Sequence, residues 1–526
     1  PPDLIMHHIL QLEVDLLWNG GIGTYVMASN ETNADADDRS NDTLRVKASQ
    51  LRALIVGEGG NLGFTQEGRI EAGRNGVRLN TDAIDNSGGV DMSDHEVNLK
   101  ILLNGLVEAG EMDVDGRNTL LEALTDEVAD LVLGNNNAHG RQLSRDQIRS
   151  RLDIFQFGHA ISFVERTFGI RRESLDLPNM TELAARAVEG EGLTRPELAV
   201  LGAYVKMYVY KQLMSHAPKE TPGYEELLLN YFPKEVAQRF PDAIRGHMLA
   251  DEIAMTVATT KVIADGGAAL IPIMIETTGA SVPLIVTAFL KAQRLGRIDE
   301  VRSTLEELRT SVSLKMLNES FVRCIEGTRM MSMFWLSARG RIPTDEELSS
   351  MLEFVDRYDQ LLPAEALKLS RRAVETLHQQ DVPQHVAELI VKSRNLNLAV
   401  MAWALSRREG EDLARAIIKL QAVGRGSRLL GVIEDLAVRP ASGQWEPIAL
   451  RILFIRFLHL LRTLIPSQAK GMPIESVDQL QPLLEENGLG PVRAQVDDLL
   501  NGEEVPSPAT LLVLEERVAA VMSRMS

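Results

Sequence analysis

The chain has 526 residues, of which 44% are hydrophobic and 25% charged, and this length and composition predict a globular protein of about three domains. Its net charge of −19 argues against nucleic acid or an anionic membrane surface as a partner, because both would repel it. The single cysteine, Cys324, excludes an internal disulfide and suits a reducing cytoplasm, and no apolar run reaches the roughly 20 residues that span a bilayer.

The amino-terminal part alternates strand and turn signals. The chain opens at Pro1 and meets a predicted strand, Leu12–Trp18, almost at once, so it looks cut from something longer. A glycine-rich turn at 20–23 follows, and the polar, acidic stretch Asn30–Asp42 is typical of a surface loop. The next predicted strand is Arg52–Gly57, whose centre is apolar.

Helix and strand signals continue to about residue 106. Thr65 is a suitable N-cap for a helix that ends near Arg74, before Asn75 and Gly76. Val77–Ile84 is a predicted strand, and Ser93 or Asp94 could cap a helix toward Leu106. Strand–helix–strand alternation of this kind predicts part of a parallel sheet.

Beyond about residue 100, apolar residues recur at spacings of three and four, which predicts helices throughout. Capping boxes begin at Thr194 and Thr344, and Pro363 is expected to open a further helix. The predicted fold is therefore an α/β part with a partial Rossmann-like parallel sheet, residues 1–109. It is followed by an all-α region, residues 110–526, that forms one large domain or two smaller ones.

Two short segments combine paired glycines with an asparagine: EGGN at 58–61 and NSGGV at 86–90. Each follows a predicted strand. Glycines at the carboxyl end of a strand let the backbone approach a ligand closely, and in open α/β sheets ligands bind beyond those strand ends. The two segments therefore predict one binding crevice, although paired glycines after a strand are also common in simple tight turns.

The residue pattern of these segments resembles a known family signature. EGGN followed by Thr65, then NSGGVxxSxxE, is similar to the cofactor-domain motifs of glutamate dehydrogenases, and DLLWNGG at 15–21 resembles the strand and turn before them. The longer stretches are most similar to the very large bacterial NAD-dependent enzymes. GLTRPELAVL at 192–201 and ETTGAS at 276–281 extend the resemblance, with two small departures: Thr277 for the usual Glu and Ser87 for the usual Ala.

The resemblance implies NAD-dependent oxidative deamination of L-glutamate to 2-oxoglutarate and ammonium, in the cytoplasm, by an enzyme that is a homo-oligomer when complete. It also implies which residues bind NAD: Gly20, Gly21, Glu58, Gly59, Gly60, Asn61 and Asn86. Within this set Glu58 could instead orient the loop. Val90 and Ser93 correspond to the substrate pocket, where the serine hydroxyl would donate to the γ-carboxylate at a helix amino end.

No catalytic residue is assigned within this chain. In the family, the catalytic lysines and aspartate precede the cofactor domain, and neither Lys47 nor Lys100, the lysines of the first hundred residues, lies in a matching motif. No histidine has a metal-ligand spacing, so no metal site is predicted. His95 is left open as a ligand contact, although a helix-start residue hydrogen-bonded to its neighbours is the favoured interpretation.

Two other functions stay open. The helical region could belong to a non-catalytic scaffold or regulatory protein, since it carries no catalytic motif. The enzyme could also act on another amino acid, as leucine and phenylalanine dehydrogenases do. Ser93 argues against that second alternative, because an apolar side-chain pocket has no use for a hydroxyl aimed at a carboxylate.

Overall fold

The computed structural model describes residues 2–437, 439, 443–469, 490–501 and 505–525. The chain divides into two compact units, Pro1–Ile273 and Met274–Ser526. Short strands occur near the amino terminus only, as far as the described residues go, and helices make up most of both units. This confirms the predicted class, a small α/β part followed by a large all-α region.

The first unit opens with the α/β part. Its strands form two parallel pairs: β1 (Leu16–Asn19) with β4 (Ile55–Glu58), and β2 (Val26–Met27) with β3 (Val46–Lys47). Its helices are α1 (Pro2–Ile9), α2 (Asn33–Ala36), α3 (Gln66–Arg74), α4 (Asp82–Asp85) and α5 (Ser87–Glu108). A small apolar core, which includes Val26, Val56, Phe64 and Leu79, lies beneath the strands.

Three local predictions for this part are wrong. A helix, α1, and not a strand opens the chain, and the first strand begins at Leu16 instead of Leu12. Val77–Ile84 is not a strand: Arg78 forms one isolated parallel bridge with Ile55, and the chain then turns into α4. The loop 30–42 contains the short helix α2 and a 3-10 turn.

The cap predicted at Thr65 is confirmed. The Thr65 hydroxyl accepts a hydrogen bond from the Gly68 amide at 3.1 Å, and α3 ends at Arg74 with Asn75 as its C-cap. Gly76 follows in the left-handed region, with φ of 95°. The local signals at both ends of this helix were therefore sufficient to define it.

The remainder of the first unit is helical. Its helices are α6 (Val114–Ala123), α7 (Thr125–Leu152), α8 (Ile154–Phe168), α9 (Met180–Glu189), α10 (Arg195–Met214), α11 (Tyr224–Leu229), α12 (Lys234–Arg239), α13 (Pro241–Arg245) and α14 (Ala250–Gly266). The predicted capping box at Thr194 is present, with Pro196 in the first turn of α10. Because α10 packs on α3 as well as on α7, α8 and α14, the α/β part and these helices form one compact unit.

Helix α15 (Leu270–Thr278) contains the division between the units. The second unit continues with α16 (Val282–Leu295), α17 (Ile298–Glu307), α18 (Leu314–Leu336), α19 (Asp345–Val355), α20 (Ala364–His378), α21 (Gln384–Arg394), α22 (Leu396–Glu409), α23 (Leu413–Gly426), α24 (Leu429–Leu436), α25 (Glu446–Ala469), α26 (Gly490–Asn501) and α27 (Pro508–Met525). The predicted capping box at Thr344 and the helix start at Pro363 are confirmed.

Cys324 is buried in α18, where burial raises the pKa of its thiol to about 12. Its side chain is therefore a core residue and not a reactive thiolate. No single helix in the described part of the chain has the length and apolar composition needed to cross a membrane. The neighbouring helices Ala250–Gly266 and Leu270–Thr278 meet these two criteria only when counted together, and they are bent by 86° at the break between them.

Candidate functional site

The carboxyl ends of β1 and β4 bring two of the predicted glycine turns together. Asn19 and Glu58 are the last partners of the parallel register, so the residues that follow them leave the sheet side by side. The Gly60 amide donates to the Asn19 carbonyl at 2.9 Å. A Cβ built on Gly60 would lie 2.3 Å from the Gly21 carbonyl oxygen. The close approach that these glycines permit is therefore between the two turns themselves.

The second predicted segment reaches the same place through one side-chain contact. Asn86 Nδ2 donates to Asn61 Oδ1 at 2.5 Å, and the Asn61 carbonyl accepts from the Gly23 amide at 3.3 Å. Asn61 is exposed and Asn86 is half-buried. The two asparagines that the sequence assigned to cofactor binding thus meet in space, with polar groups at the surface of the first unit.

Trp18 lies beside this meeting point and was not singled out from the sequence. Its indole ring covers Gly57 and Gly59, so that a Cβ on either glycine would lie about 2.5–2.6 Å from a ring carbon. The side chain is nevertheless 61% exposed. The sequence did contain a signal for this role. Trp18 lies one residue before the end of its strand and opposite a glycine of the neighbouring strand. It leaves an exposed aromatic surface at the predicted crevice.

Glu58 is occupied by an ion pair. Its side chain is buried, and its carboxylate accepts from Arg69 Nε at 2.7 Å and from Arg69 Nη2 at 2.8 Å. Burial raises the pKa of Glu58, and the Arg69 guanidinium opposes that shift. The geometry supports the alternative in which Glu58 orients the loop; direct contact with cofactor stays a prediction.

Two aspartates of α4 hold the turn that follows β4. Asp85 Oδ2 accepts from the Glu58 amide at 3.0 Å, and Asp82 Oδ2 accepts from the Leu62 amide at 2.8 Å. Asp82 Oδ1 also lies 3.3 Å from Arg69 Nη2. The roles of these aspartates were not predicted, because residues 77–84 were expected to form a strand. A strand would have pointed alternate side chains to opposite faces.

Arg195 ties the α10 capping motif to the same turn. Arg195 Nε donates to Asn80 Oδ1 at 2.7 Å, and Asn80 Nδ2 donates to Asp85 Oδ1 at 2.6 Å. Burial lowers the pKa of Arg195 to about 10. The resemblance at 192–201 therefore has a structural meaning, since this segment supports the loop after β4 through two side chains.

The predicted substrate residues lie on α5, but not at its start. The helix begins at Ser87 with Asn86 as N-cap, so Gly88 and Gly89 occupy its first turn and Ser93 lies in its second. The predictions that Asn86–Val90 is a turn after a strand, and that Ser93 or Asp94 caps the helix, are wrong. Side chains of α7 hold this end of α5: Asn136 Nδ2 donates to the Ser87 hydroxyl at 2.9 Å.

Val90 and Ser93 are both exposed, Val90 by 67%. Being three residues apart on a helix, they share one side of α5. The anion-favouring backbone N–H groups belong to the first turn, 87–90, and not to Ser93. Contact of Val90 and Ser93 with substrate stays a prediction that rests on their exposure and shared face.

His95 is buried in the third turn of α5. Its ring stacks on Tyr231 with centroids 4.2 Å apart, and neither ring nitrogen has a hydrogen-bond partner in the part of the chain that the structure describes. Asp91 Oδ1 lies 3.7 Å from Nε2, and burial lowers the pKa of His95. The favoured interpretation, a helix-start residue hydrogen-bonded to its neighbours, is therefore wrong.

The two early lysines make contacts within the protein. Lys47 Nζ donates to the Ala28 carbonyl at 3.2 Å and to the Glu31 carbonyl, and Lys100 pairs with Glu96 one turn earlier on α5. That neither lysine is catalytic stays a prediction. Across the described residues, no three histidine, cysteine or acidic side chains are grouped as metal ligands.

Two family models match the chain. Residues 1–146 match the catalytic domain of bacterial NAD-glutamate dehydrogenase, a range that contains every predicted site residue. Residues 190–467, more than half of the chain, match the glutamate dehydrogenase C-terminal model. The chain belongs to the bacterial NAD-glutamate dehydrogenase family.

Relatives named NAD-specific glutamate dehydrogenase are similar to this chain over 51–85% of its length. An NAD-specific glutamate dehydrogenase of Pseudomonas aeruginosa is 34% identical over 455 residues, 85% of this chain, and one of Halomonas elongata is 31% identical over 449 residues. One of Mycobacterium tuberculosis is 43% identical over 267 residues, 51% of this chain. The chain spans 28% of the length of the first two relatives and 16% of the third.

Proposed function

We propose that this chain forms part of an enzyme that oxidises L-glutamate to 2-oxoglutarate and ammonium, with NAD as the hydride acceptor. Family membership supports the reaction class. One observation carries the location of the site: the hydrogen bond between Asn86 Nδ2 and Asn61 Oδ1, which joins the two segments that resemble the cofactor motifs.

The cofactor side of the proposed crevice is formed by the ends of β1 and β4 and the start of α5. Its predicted contacts are Gly20, Gly21, Glu58, Gly59, Gly60, Asn61 and Asn86. The amides of Asn61 and Asn86 can each donate and accept, and the exposed indole of Trp18 offers a flat apolar surface. The first N–H groups of a helix lack a partner within that helix, so those at the start of α5 would favour an anionic group of the cofactor. Bound NAD would supply the hydride acceptor, while these residues would bind and orient it.

The substrate side is the exposed face of α5. Ser93 would donate its hydroxyl hydrogen to the γ-carboxylate of glutamate, and Val90, one turn earlier, would contact the methylene groups. This arrangement favours glutamate over an apolar amino acid, because a hydroxyl without a partner would be left facing an apolar side chain.

Catalytic proton transfer is assigned to residues outside this chain. Lys47 and Lys100 have the partners described above, and no matching motif surrounds either lysine. We therefore expect purified 1–526 to form no NADH from glutamate and NAD. Measurable turnover that survives replacement of both lysines by methionine would place the catalytic groups elsewhere in this chain; turnover abolished by one replacement would identify the missed lysine.

The helical remainder is proposed to serve assembly or regulation in a cytoplasmic homo-oligomer. The support is that the described part of residues 110–526 is mostly helical and that no catalytic motif is recognised in its sequence. Sedimentation of the complete enzyme, before and after truncation at Ile273, tests this role. An unchanged oligomeric state together with unchanged kinetics would contradict it.

Ser93 provides the direct test of the substrate assignment. In the complete enzyme, Ser93→Ala should lower kcat/KM for glutamate by about tenfold to over a hundredfold, because a hydrogen bond to a charged group is worth about 1.5–3 kcal/mol. Ser93→Thr keeps the hydroxyl and should retain much of the activity. The constants for NAD should change little in either variant. If both variants keep the wild-type constants for glutamate, Ser93 does not contact the substrate.

A further inference from the structure

The second unit contains an apolar cavity, open to solvent on one side, that the proposed dehydrogenase reaction does not use. Its volume is about 290 Å³, and it lies among α20, α22, α23, α24 and α25. The apolar part of its lining includes Leu362, Leu369, Ala373, Leu398, Ile433 and Phe454. A cavity of this size matches the lower end of the range for small-molecule pockets.

Three buried polar groups line the same cavity. The Tyr358 and Gln421 side chains interact with each other, whereas Asn397 Oδ1 has no hydrogen-bond partner among the residues that the structure describes. Tyr358 and Asn397 are each 3% exposed and Gln421 is 7% exposed. A buried acceptor that is left unpaired is unfavourable, so Asn397 Oδ1 is better suited to a donor atom of a ligand than to an empty space.

Two arginines also line the cavity, and their states differ. Arg425 is neutralised by Glu434, whose carboxylate oxygens lie 2.7 and 2.5 Å from its Nη atoms. Arg394 is exposed at the edge of the cavity and has no ion pair or hydrogen bond to a described residue, and the neighbouring Arg323 adds a second positive charge. In a chain with a net charge of −19, an arginine left unpaired beside an apolar cavity is suited to an anion.

We propose that this cavity binds a small, mainly apolar carboxylate that also carries a hydrogen-bond donor. The carboxylate would pair with Arg394, the apolar body would fill the space beside Leu369 and Phe454, and the donor would meet Asn397. The volume corresponds to about ten non-hydrogen atoms, since a water molecule takes roughly 30 Å³ in the liquid. The site lies wholly within 274–526 and does not depend on the proposed reaction.

Binding of 4-hydroxyphenylacetate to the full chain, measured by calorimetric titration, tests the proposal. This probe has a carboxylate, an apolar ring, a hydroxyl donor and a suitable size. Its amide, 4-hydroxyphenylacetamide, has nearly the same shape without the charge. We expect saturable binding of the acid, and binding of the amide that is weaker by about tenfold or more.

Variants locate the site. Arg394→Met should weaken binding of the acid by about tenfold or more, whereas Arg372→Met, which removes an exposed arginine of α20 outside the cavity lining, should not change it. Ala373→Leu should weaken binding by filling the cavity, with the melting curve as a check on folding. The acid–amide comparison on the unaltered chain remains decisive if a variant does not fold. Equal affinities for acid and amide, equal effects of both arginine variants, or no saturation by about 10 mM would overturn the proposal.

Discussion

Asn86 Nδ2 donates a 2.5 Å hydrogen bond to Asn61 Oδ1, across 25 residues of sequence. The bond joins the N-cap of α5 to the turn after β4. It also connects the two segments that resemble the cofactor motifs. The geometry of the proposed crevice therefore depends on a contact between two neutral amides.

A double-mutant cycle can measure that contact. Asn61→Ala and Asn86→Ala should each weaken NAD binding by the complete enzyme, and the double variant should lose less than the sum of the single losses. A neutral hydrogen bond predicts a coupling free energy of about 0.5–1.5 kcal/mol. Asn104→Ala, which alters an exposed asparagine of the same helix, serves as the control. Fully additive effects would show that the two amides act independently.

Gly60 and Gly89 belong to the two glycine segments of the predicted crevice, but the space around them differs. A Cβ on Gly60 would lie 2.3 Å from the Gly21 carbonyl oxygen, whereas the nearest atom to a Cβ on Gly89 is Asn86 Oδ1 at 4.0 Å. Gly60→Ala should therefore lower the melting temperature. Gly89→Ala should leave it unchanged or raise it, since alanine in a helix is favoured over glycine by roughly 0.5–1 kcal/mol.

Differential scanning calorimetry beside NAD titration distinguishes the two roles. If Gly89→Ala folds normally but binds NAD more weakly, the first turn of α5 contacts the cofactor. A Gly60→Ala variant with a wild-type melting temperature would show that the two turns can separate without cost, which the distances contradict.

Breaking the buried Glu58–Arg69 pair should strongly destabilise the α/β part. Replacing Arg69 by Met leaves the Glu58 carboxylate buried without its cation, so we expect a loss of about 3–5 kcal/mol in the free energy of unfolding. Arg74→Met on the same helix removes an exposed pair with Glu191, 3.5 Å long, and should cost less than about 1 kcal/mol. Urea unfolding measures both. Similar losses for the two variants would show that burial adds nothing to the Glu58 pair.

The buried position of His459 predicts that the stability of the second unit depends on pH. This histidine is buried, stacks on Phe334 and lies 2.6 Å from the Ser337 hydroxyl. Burial, with a smaller contribution from Arg462 and Arg339, lowers the pKa of His459 to about 4. As the pH falls, His459 is therefore protonated near pH 6.5 in the unfolded chain, but only near pH 4 in the folded chain. Its contribution to stability is complete above pH 6.5 and is lost as the pH falls toward 4, by about 3 kcal/mol in total.

Urea unfolding at intervals between pH 7 and pH 4 measures this slope. His459→Phe should flatten the curve whatever its effect on stability at pH 7. His385→Phe, at an exposed position of α21, should leave the slope unchanged. Parallel curves for the wild-type chain and His459→Phe would show that His459 does not resist protonation in the folded state.

Local signals explain which parts of the fold could be predicted. The caps at Thr65, Thr194 and Thr344 were correct because a cap is formed by hydrogen bonds over three or four residues. The start of α5 was missed because glycines at 88 and 89 disfavour a helix. In the structure, Asn136 of α7 holds that turn through the Ser87 hydroxyl, and a contact across 49 residues leaves no local pattern.

The sequence by itself determined the family, the order of an α/β part and a helical region, and the segments in which a site should be sought, because motifs and caps are short-range patterns. Only the tertiary structure decided what those residues do. It paired the Glu58 carboxylate with Arg69 and Asn61 with Asn86, and it placed Arg394 beside a cavity with no ion pair to any residue that the structure describes. The physical reason is that burial and ion pairing depend on neighbours from distant parts of the chain, which only folding brings together.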